Sequence, residues 1–151
     1  MDQRTWELQV RTRKFADDIQ KLCGQLSDCP AATRVGNQLR RAADAIHPCY
    51  AVACRSDSRE EFIDRISVVR SHARKATRLL RRLLDSNYLR IETARDIVLE
   101  SRALTAIFEA SRNTAKRRLQ KATAKTQPPT GRCVRQSVGA VRTSGYPKNT
   151  A

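Results

Sequence analysis

The sequence predicts an all-α protein, an antiparallel up-down-up-down four-helix bundle over residues 1–121 with a disordered basic C-terminal tail over residues 122–151. Three observations predict it. Successive stretches carry apolar residues at alternating three- and four-residue spacing, the mark of one buried face on a helix. Short turn-forming segments separate those stretches. From Ala122 onward the periodicity stops. No alternating pattern long enough for a strand is present, and no repeat at solenoid periods.

The first helix is expected from about Thr5 to Leu26, with Leu8, Thr12, Phe15, Ile19, Leu22 and Leu26 on one face. Ser27-Asp28-Cys29-Pro30 ends it, because a proline disfavours helix in the residue before it. Thr33 is placed to cap the second helix, whose apolar seam reads Val35, Leu39, Ala42, Ile46, Cys49 and Ala53. Pro48 falls inside that seam. It lacks a backbone donor and crowds the carbonyl of Asp44, so a kink or a break is expected there. Ser58-Arg59-Glu60-Glu61 has the form of a capping box and opens the third helix. The third seam is Phe62, Ile66, Val69, Ala73, Ala76, Leu80 and Leu83, ending near Asp85-Ser86-Asn87. The fourth helix begins around Ile91–Thr93, carries Ile97, Leu104, Ile107, Phe108, Ser111, Ala115 and Leu119, and is expected to fray near Lys121. Beyond it Pro128, Pro129, Gly131, Gly139, Gly145 and Pro147, with few large apolar residues, predict disorder.

Charge carries the functional signal. The chain has 151 residues and a net charge of +15. Residues 1–109 hold 20 basic side chains against all 15 acids, whereas residues 110–151 hold 10 basic side chains and no acid. On the third helix the face opposite the seam holds Arg74, Lys75, Arg78, Arg81 and Arg82, with Arg70 at its edge. Like charges one turn apart cost about 0.2–0.5 kcal/mol per pair in an isolated helix, so concentrating them points to an anionic partner, RNA or another nucleic acid. Arg112, Lys116, Arg117, Arg118, Lys121 and Lys125 extend that footprint into the tail. The blander readings are a solvated face, or arginines paired with acids of a neighbouring subunit. The seven aromatic residues are thinly spread, and Phe15 and Phe62 sit on seams, so backbone or shape recognition of structured RNA is favoured over base stacking.

Other chemistries find little support. Cys23, Cys29, Cys49, Cys54, His47 and His72 show neither C-x-x-C nor H-x-x-x-H spacing, and Cys49 is more simply a small apolar residue on a seam. Asp17-Asp18 and Glu60-Glu61 are adjacent pairs that diverge by about 100° on a helix. With no phosphate-binding glycine loop and no nucleophile–base signature, the expectation is a non-enzyme without cofactor or metal. No apolar run approaches the ~20 residues that span a bilayer, and the N-terminus lacks the apolar core of a signal peptide. Five cysteines, an odd number, suit a reducing compartment. A cytoplasmic protein with no membrane partner is therefore expected.

Gln38-Leu39-Arg40-Arg41-Ala42-Ala43-Asp44-Ala45-Ile46, followed after a short spacer by Ser58, Glu61, Phe62 and Ile63, resembles the motif of a four-helix bundle family. That family is named for proteins encoded in intervening sequences of bacterial 23S ribosomal RNA. Its pattern runs close to Q-I-R-R-A-A-x-S-I-P-S-N-I-A-E-G and then S-x-x-E-F-I. The likeness covers roughly residues 5–120. Departures are Cys49 for the usual Asn, Val52 for Glu, Ala53 and Arg55 for Gly, His47 in the proline place, and Lys75 and Thr77 for Glu. The resemblance implies the bundle and a homo-oligomer, a pentamer in some relatives. It also implies a kinship with the accessory variability determinants of diversity-generating retroelements, which work beside a reverse transcriptase and its template RNA. Arg40 and Arg41 belong to this motif and would either hold the ring together through carboxylate pairs or face the ligand.

Overall fold

The computed structural model describes residues 2–126. They form four helices, α1 (Gln3–Cys23), α2 (Pro30–Ala53), α3 (Arg59–Asp85) and α4 (Ile91–Thr126), with no strand among the described residues. Of the tail expected over residues 122–151, residues 122–126 are instead helical, and the remainder lies outside the described residues. The chain divides into two units, Met1–Leu119 and Gln120–Ala151. In the second unit every described residue from Gln120 to Thr126 is helical and exposed.

Within the first unit one core joins all four helices. Phe15 and Ile19 from α1, Leu39 and Ile46 from α2, Ile66, Val69, Leu80 and Leu83 from α3, and Leu104 and Phe108 from α4 are all essentially inaccessible. Burying one such side chain contributes about 1.5–3 kcal/mol relative to leaving it in water. Tyr50 and Phe108 meet with ring centroids 5.6 Å apart and planes tilted by 45°, which ties α2 to α4.

Polar contacts give the sense of two helix pairs. Cys23 lies against Gly36, Gln20 against Asp44, and Thr12 against His47, so α1 and α2 run in opposite directions. Between α3 and α4 the contacts are Thr77–Ser101, Arg70–Glu109 and Ser67–Arg112, again a descending series. An Arg11–Glu100 bridge with two parallel contacts of 3.0 and 2.9 Å joins α1 to α4.

Local chemistry explains most helix ends, and several differ from expectation. α1 stops at Cys23 rather than Leu26, with Gly24 as its C-cap, and Leu26 folds back against Gly36. A Cβ on Gly36 would lie 2.6 Å from Leu26 Cδ1, so this close approach needs either glycine or a displaced leucine tip. The N-cap of α2 is Cys29, not Thr33. Its Sγ accepts from the Ala32 N–H at 3.4 Å, Pro30 occupies the first turn where no donor is needed, and the Thr33 hydroxyl donates back to the Cys29 carbonyl. Pro48 neither breaks nor ends α2, which is helical from Pro30 to Ala53. Pro48 and Asp44 are both exposed, so water can satisfy the carbonyl that loses its partner. Cys49 is only half-buried, and the neighbouring Tyr50 fills the core position instead.

The serine half of the capping box forms, while the glutamate reaches the residue before the cap. Ser58 Oγ accepts from Glu61 N–H at 3.1 Å, and Glu61 Oε2 accepts from the Asp57 N–H at 2.8 Å. At the other end of α3, Asn87 adopts a left-handed φ of 58° while Tyr88 N–H bonds the Leu83 carbonyl and Asn87 N–H the Leu84 carbonyl. That is a Schellman closure with asparagine in place of glycine. α4 does not fray at Lys121 but continues to Thr126.

Candidate nucleic-acid interface

Antiparallel packing of α3 on α4 leaves a groove between them, and arginine lines both walls. α3 contributes Arg70, Arg74, Arg78 and Arg81, and α4 contributes Arg95 and Arg102. Two cavities of about 680 and 360 Å³ lie along the groove, and Thr77 and Arg102 line both. Between the arginines the lining holds Thr77, Thr105 and Ala106 in the first cavity and Thr77, Leu84, Ile91, Val98 and Leu99 in the second, with no aromatic side chain among the described residues. Beneath the floor, Ser101 is almost wholly buried and touches Thr77 Oγ1 at 2.5 Å. The Thr77 hydroxyl donates to the Ala73 carbonyl, so the proton between the two hydroxyls belongs to Ser101.

The candidate cations divide into two kinds. Arg74, Lys75, Arg78, Arg81 and Arg82 are exposed, and none forms an ion pair among the described residues. Arg95 and Arg102 are likewise exposed and unpaired there. Arg70 and Arg112 instead share Glu109. Arg70 Nη1 lies 3.1 Å from Oε2 and Arg112 Nη1 3.8 Å from Oε1, while Arg112 Nε donates to Ser67 Oγ at 2.9 Å. Their side chains are only 21% and 23% exposed, which places them as an inter-helix clasp at one end of the groove.

The remaining candidates do not reach the groove. Arg40 lines a separate cleft of about 360 Å³ beside the α1–α2 connection, with its Nε buried and without a hydrogen-bond partner. Arg41 is exposed on α2, and Lys116 is half-buried. Arg117 is exposed and contacts Thr114 on its own helix. Arg118 borders a cleft of about 1270 Å³ between the start of α1, the end of α2, the start of α3 and α4. Lys121 and Lys125 are exposed in the second unit. Arg95 and Arg102 were not among the sequence candidates. The signal for them was their seven-residue spacing with Glu109, which puts all three on one face of α4.

Other titratable groups serve the fold. Burial pushes the Cys23 thiol above its ordinary value, and Arg40 nearby opposes that shift. Burial likewise pushes the Tyr50 phenol well up, with Cys54 adding to the rise. His47 lies between α1 and α2, with Nδ1 within 3.1 Å of Thr12 Oγ1 and 3.2 Å of the Gln9 carbonyl. Among the described residues no three His, Cys, Asp or Glu side chains are grouped to hold a metal, and no helix is long and apolar enough to cross a membrane.

The comparisons add no relative to this description: the chain matches no family model, no curated protein and no solved structure.

Proposed function

We propose that this chain is a non-catalytic, RNA-binding up-down-up-down bundle that acts as a homo-oligomer and recognises its ligand through the phosphate backbone. One observation carries the reading. Arg74, Lys75, Arg78, Arg81 and Arg82 stand exposed on one helix without an ion pair among the described residues, although acids pair with other arginines across the same bundle. Positive charge left unpaired over about two and a half turns favours a polyanion, and each phosphate engaged releases a counterion. An acid-free C-terminal segment adds charge of the same sign. On an oligomer such weak contacts sum by multivalency. Trp6 and Val10, one turn apart on α1, are exposed large apolar residues that support association of subunits.

The test is RNA binding by the full chain over a salt series. Affinity should fall steeply and linearly with log salt. The triple variant Arg74→Gln, Arg78→Gln, Arg81→Gln should keep its helical content and lose roughly two units of that slope, at about 0.7 per phosphate contact. Absence of RNA binding by the wild type at low salt sinks the reading and leaves a structural or protein-interaction module.

The narrower form makes the protein an accessory subunit of a retroelement reverse transcriptase complex. It rests on the motif shared by α2 and the start of α3. Co-purification of the full chain with a reverse transcriptase encoded beside it is the expected result, and no such neighbouring gene would remove this form while leaving RNA binding intact.

A further inference from the structure

We infer that the α3–α4 groove holds a single RNA strand, its phosphates between the Arg74, Arg78 and Arg81 wall and the Arg95 and Arg102 wall and its riboses over Thr105. This rests on the RNA-binding reading and goes further, since it selects the groove over the whole basic face and one strand over a duplex.

Four features lead there. First, charge lies on both sides of the channel. Arg74, Arg78 and Arg81 repeat at about one helical turn, a rise of roughly 4.5–6 Å between neighbours. That step is similar to the distance between successive phosphates on a strand, so each guanidinium can meet its own phosphate. Second, packed helices sit only about 8–10 Å apart axis to axis. A furrow between them admits one backbone and is too narrow to seat a duplex. Third, the acids mark the two ends. Glu109, with Arg70 and Arg112 on it, bounds one end and Asp85 the other, so the unneutralised stretch between them is short and has a definite length.

Fourth, the floor offers acceptors. Thr77 donates to the Ala73 carbonyl and Thr105 donates to the Ser101 carbonyl at 2.8 Å, so neither hydroxyl proton faces the channel. Oxygen lone pairs on the floor and donors on the walls do not suit a small anion sunk to the bottom. They suit a strand whose phosphates meet the walls and whose 2′-hydroxyls donate downward, the group that separates RNA from DNA. With no aromatic residue among the described residues that line the groove, base stacking is not expected there and sequence preference should be weak.

The experiment uses the full chain and a labelled unstructured RNA octamer, the same sequence as DNA, and the corresponding RNA duplex, each over a salt series. The groove variant is Arg78→Gln with Arg102→Gln, one cation from each wall. The charge control is Lys21→Gln with Arg34→Gln, which removes as many exposed cations from α1 and α2. The groove variant should lose about 1.4 units of salt slope and roughly tenfold in affinity at low salt, and the control much less. Thr105→Val should weaken RNA binding a few-fold and leave DNA binding unchanged. Equal losses in the groove variant and the control overturn the groove while RNA binding stands. Tighter binding of the duplex than of the octamer overturns the single strand, and equal RNA and DNA affinities overturn the ribose contact. A wild-type chain that binds none of the three removes the proposal together with the function it rests on.

Discussion

At the scale of single residues, Glu109 sets how much positive charge the α3–α4 side of the bundle presents. One carboxylate lies between two guanidiniums, Arg70 from α3 and Arg112 from its own helix. Replacing it by an isosteric amide, Glu109→Gln, keeps the packing and releases both arginines from neutralisation. Part-exposed ion pairs contribute little, so unfolding free energy should fall by no more than about 1 kcal/mol. RNA affinity at low salt should rise, with a salt slope steeper by roughly 0.7–1. Titration of wild type and variant with the same RNA at several salt concentrations checks this. An affinity unchanged or lowered by the variant contradicts the placement of the site beside α3 and α4. Sequence spacing alone placed Arg70 at the edge of the basic face, and in the structure it is half-buried and paired with Glu109. Its partner, 39 residues away on another helix, could not be read from that spacing. Arg95 and Arg102 share a face of α4 with Glu109 by their spacing, but that spacing does not say which partner the face meets. α4 carries exposed Ile91 and Leu99 alongside its buried Leu104 and Phe108, so its apolar pattern does not show which face meets α3.

At the scale of elements, the pair Thr77–Ser101 fixes how α4 is rotated against α3. Thr77 replaces the apolar or small residue that a dry contact would use, and its partner Ser101 is almost fully buried. Because the shared proton is the serine's, the two single changes are unequal. Ser101→Ala removes the donor and leaves Thr77 still bonded to the Ala73 carbonyl, a mild loss of about 0.5–1.5 kcal/mol. Thr77→Val instead strands a buried hydroxyl proton, a loss of about 1–3 kcal/mol unless Ser101 turns to its own backbone. The double variant should lose less than the two singles together, and a double-mutant cycle by denaturant unfolding measures that coupling. Additive losses would show that the contact does not hold the helices in register. The helices themselves were largely legible, because apolar spacing reports burial and the Ser58–Glu61 cap is a local hydrogen-bond pattern. What local signals misplaced were termini. Pro30 at the first turn made Cys29 a cap, and solvent at Asp44 made Pro48 tolerable inside α2; both depend on which side of the helix faces water.

At the scale of the whole molecule, the proposed RNA binding would draw on two sources of charge, the groove of the folded unit and a C-terminal segment that holds no acid. Residues 127–151 contain Arg132, Arg135, Arg142 and Lys148 and no acid, so they attract any polyanion regardless of its shape. The two contributions have different signatures. Diffuse charge raises affinity for single strand, duplex and DNA alike, whereas a groove discriminates among them. A chain ending at Thr126, where α4 ends, should therefore keep its helical content and thermal transition and lose affinity for all three ligands together. The difference between wild type and the Arg78→Gln, Arg102→Gln variant should persist in the shortened chain with the same change in slope, because the groove's residues all lie within the first unit. If that difference vanishes on shortening, the groove acts only with the C-terminal segment attached, and the bundle is a carrier for a basic tail. If affinity is unaffected by shortening while the groove variant remains impaired, the unpaired arginines of α3 and α4 are sufficient for the binding and the tail's charge serves something other than RNA.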